Sequence, residues 1–509
     1  MIRRALFAGS ALIVGVTAAQ AHAYGERYDL PVPLWMNVTG GSAVVVLSFL
    51  MTAWFLQPQN ETRALRPNLL AAPPGRMLAS GPVLLAVKIL SVFLFVVALL
   101  AGFVGLPDYS RNAAPTIFWV IGWVGLAFAS VLLGNIWLLV NPWLILFEWA
   151  GALWRTLTSR GLSFELAYPR GIGVLPGILM IVGFTWFMLA SGLAGDSRSL
   201  ACAVAVYSAV TWIGMLAFGA PAWLAHGEAF TLLFGVLARF SPTALRVSDR
   251  EICRRADCPP DDDGGCTDCP EAFLLAPPEK RAITLRGYGV GLIVQHPLSL
   301  SMVIVVLMVL ALVAFEGFMD TAQWIDLMTS LGELEESGGI HAPVKTTLSF
   351  LAATASLFGL FFVTSALMRM IGYAGAAPKR STLEIMGLFV LSLVPISVAY
   401  HVAHYLYWFY TQIQFVVPAA SDPFAFGWDL FGGRNFVPDR AAIPLKVIWH
   451  TAIVAIVVGH VIAVYVAHRV ALDVFRTRRA ALLSQIPMLL LMVGYTMTSL
   501  WMLAQPIMG

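Results

Sequence analysis

The feature that most constrains this chain is the recurrence of apolar stretches near the roughly 20 residues needed to cross a bilayer. They fall at 34–56, 82–106, 115–147, 173–195, 200–224, 297–319, 346–372, 383–413, 445–468 and 484–506. In lipid every backbone N–H and C=O must be paired within the protein, so runs of this length are read as helices. The expected fold is all-α, a polytopic integral membrane bundle of about ten transmembrane helices over residues 24–509, packed as one body. Charge agrees with this. Only 12% of the 509 residues are charged and 59% are hydrophobic, against about 25% charged in soluble domains, which excludes a soluble enzyme. The net charge is +3 and no basic block interrupts the chain, so nucleic acid is not an expected partner. Membrane lipid is.

Residues 1–23 read as a secretory signal peptide, with Arg3 and Arg4 as the positive region, Ala5–Ala19 as the apolar core and Ala21-His22-Ala23 as an A-x-A cleavage site. Cleavage would leave Tyr24 first; an uncleaved anchor is the other reading. With Tyr24 outside, the loops 57–81, 148–172, 225–296, 373–382 and 469–483 fall inside and carry 20 Lys and Arg, against six in the opposite loops. That asymmetry is the positive-inside pattern, and it predicts a bacterial inner-membrane protein with a periplasmic mature N-terminus. The stretch Pro221–Phe240 is apolar enough for an eleventh crossing, but promoting it would put most of the basic residues of 225–296 outside. It is read instead as re-entrant or interfacial, a kind of segment that often lines a cavity.

Four of the five cysteines, Cys253, Cys258, Cys266 and Cys269, lie in that cytoplasmic loop with the spacing C-x4-C-x7-C-x2-C. Four thiolates can close a tetrahedral zinc site or hold an iron–sulfur cluster. Disulfides with inverted topology, or unligated thiols, are the alternatives. Cys202, alone on an apolar helix, reads as packing.

Ionisable groups at membrane depth are costly and are functional candidates by default. His401 and His404 stand at i and i+3 on the eighth helix, with Tyr407, Trp408 and Tyr410 following as an interfacial belt. His450 lies near the outer end of the ninth helix, and Glu316 and Asp320 stand at i and i+4 on the outer end of the sixth. Sharing one depth, these three imidazoles and two carboxylates form a candidate first shell for zinc, manganese or iron. The plainer reading is that the histidines hydrogen-bond across the bundle and the carboxylates touch water at a helix end. His460 lies deeper, facing a second ion, a haem or a proton path, and His468 is read as interfacial. Ala225-His226-Gly227-Glu228 offers an inner imidazole and carboxylate as a site or gate. The loop 414–444 reads as an ordered periplasmic lid, in which Asp422 and Asp429 either overhang the histidines or cap turns. No G-x-x-x-x-G-K-[ST], G-x-S-x-G or H-E-x-x-H occurs, which argues against a nucleotide motor, a serine hydrolase and a zincin.

Several runs carry a resemblance: Ala21-His-Ala-Tyr-Gly-Glu-Arg-Tyr-Asp-Leu-Pro-Val-Pro-Leu34, His226-Gly-Glu-Ala-Phe230, the Cys258–Cys269 loop, Tyr400-His-Val-Ala-His404, Ser421-Asp422-Pro423 and Gly427-Trp428-Asp429. Through them the chain resembles, over nearly its full mature length, the bacterial membrane proteins called fenitrothion hydrolases. The resemblance implies hydrolysis of an organophosphate triester and assigns no residue a role. The expectation is a membrane-embedded metal-dependent hydrolase of a hydrophobic small molecule, with an ion on His401, His404 and His450 and with Glu316 or Asp320 as fourth ligand or general base. The alternative is a transporter or respiratory-chain component that uses the histidines as haem ligands or proton relays.

Overall fold

The computed structural model describes residues 33–55, 67–261, 263–332, 342–375, 377, 379–433, 435–475 and 477–505. The expected signal peptide and cleavage site lie outside the described residues. Nine described helices are long and apolar enough to cross a membrane: Leu34–Phe55, Gly81–Val104, Ala113–Leu132, Ser197–Phe218, Leu300–Met319, Pro343–Gly372, Thr382–Ser421, Leu445–Val474 and Arg478–Leu503. The expected stretch at 173–195 forms a shorter apolar helix, Leu175–Ala190. The protein is an all-α polytopic membrane bundle.

One expected span is corrected. The apolar run 115–147 is not a single helix: it stops at Leu132, turns through Gly134, and resumes as Pro142–Thr158. Gly134 has φ +131°, and a Cβ there would lie 2.0 Å from Thr243 Oγ1, so only glycine makes this turn. Asn141 then starts the next helix, its side chain accepting from Trp143 N (3.0 Å) and Leu144 N (3.1 Å), with Pro142 at the first helical position. Apolarity along the run concealed both signals.

Burial separates the centre of the bundle from its rim. In Thr382–Ser421, 94% of the most apolar window is buried, and in Leu300–Met319 61%, whereas Leu34–Phe55 and Gly81–Val104 bury 11% each. The rim helices present Leu50, Trp54, Leu90 and Phe93 outward. That surface is stable only against lipid, where exposed apolar side chains cost nothing. The central helix passes through a 3-10 turn at Val390–Leu393 just ahead of Pro395, whose missing N–H breaks the α-helical ladder. Leu445–Val474 packs closely on it. A Cβ at Gly459 would lie 2.5 Å from Ala399 Cβ and 2.6 Å from Pro395 O, the small-residue contact by which membrane helices approach.

The stretch expected to be re-entrant is two short helices, Ala220–His226 and Ala229–Ala238. The second, ten residues long, rises only about 15 Å and cannot span. Beyond it the expected loop holds a small antiparallel sheet of order β2-β1-β3, with β1 Thr243–Val247, β2 Cys266–Thr267 and β3 Arg281–Leu285. Val247 pairs with both Cys266 and Arg281. Strands of two to five residues are too short to leave a period-2 pattern, which is why they are illegible in the sequence.

Candidate functional site

Two helices build the site. Leu300–Met319 carries Glu316 in its last turn and ends at Asp320, which caps it, so the two carboxylates share a face. Val394–Ile413 carries His401, His404 and Tyr405. His404 stands between the carboxylates: its Nε2 is 3.7 Å from Glu316 Oε1 and its Nδ1 is 4.0 Å from Asp320 Oδ2. The Tyr405 hydroxyl donates to Glu316 Oε2 and accepts from Trp123 Nε1 at 3.3 Å. These groups face a cavity of about 560 Å³, walled in part by Trp119, Trp123, Tyr407 and Trp408. Its volume lies within the range of small-molecule sites, about 300–1,000 Å³. Burial, reinforced by Glu316, pushes the Asp320 carboxyl above its ordinary value against the opposing pull of His404.

The five residues of the expected metal shell do not all meet. His401 is 3% exposed and does not line the cavity. Its ring packs edge-on to Phe128 (5.1 Å) and Trp123 (6.1 Å), and its Nε2 has no hydrogen-bond partner among the described residues. The reason is angular. Residues at i and i+3 diverge by about 60° around a helix, and the Tyr405 ring packs against both imidazoles, 4.6 Å from His401 and 4.8 Å from His404. His450 is exposed, its Nδ1 bonded to Lys446 O at 2.6 Å and its ring set edge-on to Trp449. It is not brought to the cavity. What the fold gathers is His404, Glu316 and Asp320, with Tyr405 and Trp123, which the sequence reading left unassigned, as supports.

His404 Nε2 and Glu316 Oε1 offer two of the ligands a divalent ion would need. Nitrogen and oxygen ligands at about 2.1 Å from a tetrahedral ion lie roughly 3.4 Å apart, close to the observed separation. Asp320 then faces the other ring nitrogen, the usual place of a carboxylate that orients a ligating imidazole.

The other singled-out groups fare differently. Glu228 is fully buried and caps Ala229–Ala238, accepting from Phe230 N (3.0 Å), Thr231 N (2.7 Å), Trp137 Nε1 (3.0 Å), the Thr231 hydroxyl at 2.5 Å and the Tyr207 hydroxyl. His226 donates from Nδ1 to Ala222 O (2.9 Å) and faces Arg170 Nη1 through Nε2 (3.3 Å). Asp422 spends its carboxylate on the N–H groups of Phe426 (3.0 Å), Gly427 (2.6 Å) and Trp428 (3.0 Å), which is the turn-capping alternative. His468, read as interfacial, is fully buried, 2.9 Å from Gln485 Nε2. His460 is also fully buried, and its Nδ1 donates to Ile456 O at 2.8 Å. The four loop cysteines converge: Cys253 is joined to Cys266 and Cys258 to Cys269. Among the described residues, Cys258, Cys266 and Cys269 are the one group of three or more ligand atoms within 4.8 Å of each other. Compared with known proteins, the chain matches no family model, no curated protein and no solved structure.

Proposed function

We propose that this protein is a membrane-embedded, metal-dependent hydrolase of neutral, hydrophobic esters, with organophosphate triesters as the substrate class. The observation that carries the reading is the placement of His404 between Glu316 and Asp320 on an aromatic-walled cavity. A neutral triester partitions into lipid, and the Trp119, Tyr407 and Trp408 walls suit its apolar groups. Asp320 Oδ2 lies 4.0 Å from His404 Nδ1, on the side of the ring away from Glu316, so its charge favours the ring orientation that turns Nε2 toward Glu316. Tyr405, held by Trp123, donates to the far oxygen of Glu316 and aims the near one at Nε2. His404 and Glu316 would hold the divalent ion, which when bound would supply Lewis acidity toward the phosphoryl oxygen and lower the pKa of water toward about 7.

The test is elemental analysis together with hydrolysis of a p-nitrophenyl phosphotriester by purified protein. His404→Ala and Glu316→Gln should each lose the ion and at least about 10²-fold in turnover. Turnover lost with the ion retained would move His404 to an acid–base role. Unchanged turnover and metal content in both variants would sink the reading.

One observation favours a second reading, a proton-conducting or haem-bearing membrane component: His401, His460 and His468 are each buried with Nε2 unpartnered among the described residues. A Soret band in the purified protein decides for it. For the membrane, the reading is a bacterial inner membrane with the basic loops inside. Reporter fusions after Gly75 and Arg380 should then report cytoplasm and one after Gly433 periplasm; a cytoplasmic signal at Gly433 reverses the orientation.

A further inference from the structure

The loop cysteines take no part in the function proposed above. Cys253 lies in the Arg250–Arg255 helix, Cys258 just beyond it, Cys266 on β2, and Cys269 at the N-cap of Pro270–Leu275. The links Cys253–Cys266 and Cys258–Cys269, with Cα separations of 5.8 and 6.3 Å, interleave along the chain. Three of the sulfurs also meet in space, those of Cys258, Cys266 and Cys269 lying within 4.8 Å of one another, and Cys253 reaches this group through Cys266. Disulfide staples stabilise by closing separate loops, and nothing in that role requires two of them to share one point. A single tetrahedral ion does require it: with Zn–S bonds of about 2.3 Å the thiolates sit roughly 3.8 Å apart. An iron–sulfur cluster sets irons and sulfides between its thiolates and needs them wider apart. Cys253 and Cys266 are each 1% exposed, and with Val247, Ala256, Ala272 and Ala276 they form a small closed core of the kind a structural site has.

We infer that Cys253, Cys258, Cys266 and Cys269 serve as thiolates of a structural zinc site, in place of the two sulfur–sulfur links, and that this site locks the cavity they border. The residues between and beside these ligands give the lock its purpose. The Cys253–Cys258 arm presents the carbonyls of Arg255 and Ala256 to Arg170, at 3.2 and 3.4 Å. The Cys269 arm presents Glu271, whose two oxygens take the Arg170 guanidinium at 2.7 and 2.9 Å. Arg170 in turn reaches His226 Nε2 at 3.3 Å. Both arms of the site therefore converge on one arginine, and through it hold His226 at the wall of a cavity of about 1140 Å³ that Cys258 and Cys269 also line. Zinc would fix that wall; without it, the two arms are free to part and Arg170 loses its carbonyl and carboxylate partners together.

The experiment is zinc stoichiometry and thiol alkylation on the full chain, extracted in detergent without reductant or chelator. The expected result is one zinc per chain, four loop thiols that resist maleimide until a chelator is added, and zinc lost from Cys258→Ser and Cys269→Ser but kept in Cys202→Ser. Should the serine variants not accumulate, titration of the wild-type protein with chelator carries the test: zinc release should expose four thiols in step and lower the melting temperature. Cysteines that react only after reductant, with no zinc present, would overturn the inference in favour of disulfides. So would iron with acid-labile sulfide, or full zinc retained in both loop variants.

Discussion

Glu228, two residues from His226 in the chain, and Glu316, facing His404, are glutamates in similar sequence settings, and they differ in what the carboxylate has left to give. Glu228 beside His226 is fully buried and accepts from two backbone N–H groups, two hydroxyls and an indole. Its lone pairs are spent on its own fold. Glu316 beside His404 accepts, among the described residues, from the Tyr405 hydroxyl and turns its other oxygen toward an imidazole on a cavity. A carboxylate saturated by the chain that carries it is a cap, whereas one with capacity facing open volume is available for chemistry. Residue identity does not separate the two cases; hydrogen-bond accounting does.

The sharpest way to break this comparison is Glu228→Ala. It strands several buried donors at once, each costing about 1–3 kcal/mol, so the variant should fail to accumulate as folded protein or melt far below wild type in detergent. A melt indistinguishable from wild type would show that Glu228 is not the cap the comparison makes it. Asp422→Ala should act less severely. It removes the acceptor of the Phe426, Gly427 and Trp428 N–H groups in the loop after Val416–Ser421, and should cost about 1–3 kcal/mol without changing metal content. If Asp422→Ala abolished metal binding with stability intact, the lid would belong to the site instead. The smallest effect is expected at His450→Ala. With its ring exposed and its Nδ1 on the Lys446 carbonyl, this residue should alter neither stability nor metal content measurably. Loss of the ion in that variant would restore the three-histidine shell that depth alone suggested.

Legibility in the sequence followed the physics of each feature. Long apolar runs were readable, and the nine long helices fall on them; the exceptions are the run at 115–147, divided by Gly134 and Asn141-Pro142, and the run at 173–195, which forms the shorter helix Leu175–Ala190. Glu316, Asp320 and His404 were readable because an ionisable group in an apolar run stands out. Tyr405 and Trp123, which hold Glu316 in place, were not, since aromatic residues in a membrane helix look like packing or an interfacial belt.

What the sequence determined by itself is the class of the molecule. In a bilayer an apolar run of about 20 residues has one solution for its backbone, whatever its neighbours are. The depth of each polar group follows from the same count at 1.5 Å per residue. Only the tertiary structure decided azimuth: that His404 turns to Glu316 while His401 faces Phe128 and Trp123, that His450 points away, and that Cys258, Cys266 and Cys269, on a loop, a strand and the start of a short helix, meet at one place. Rotation of a helix about its axis is set by side-chain packing against neighbours such as Gly459 against Ala399 and Pro395. Such contacts join residues distant in the chain, and no local pattern encodes them.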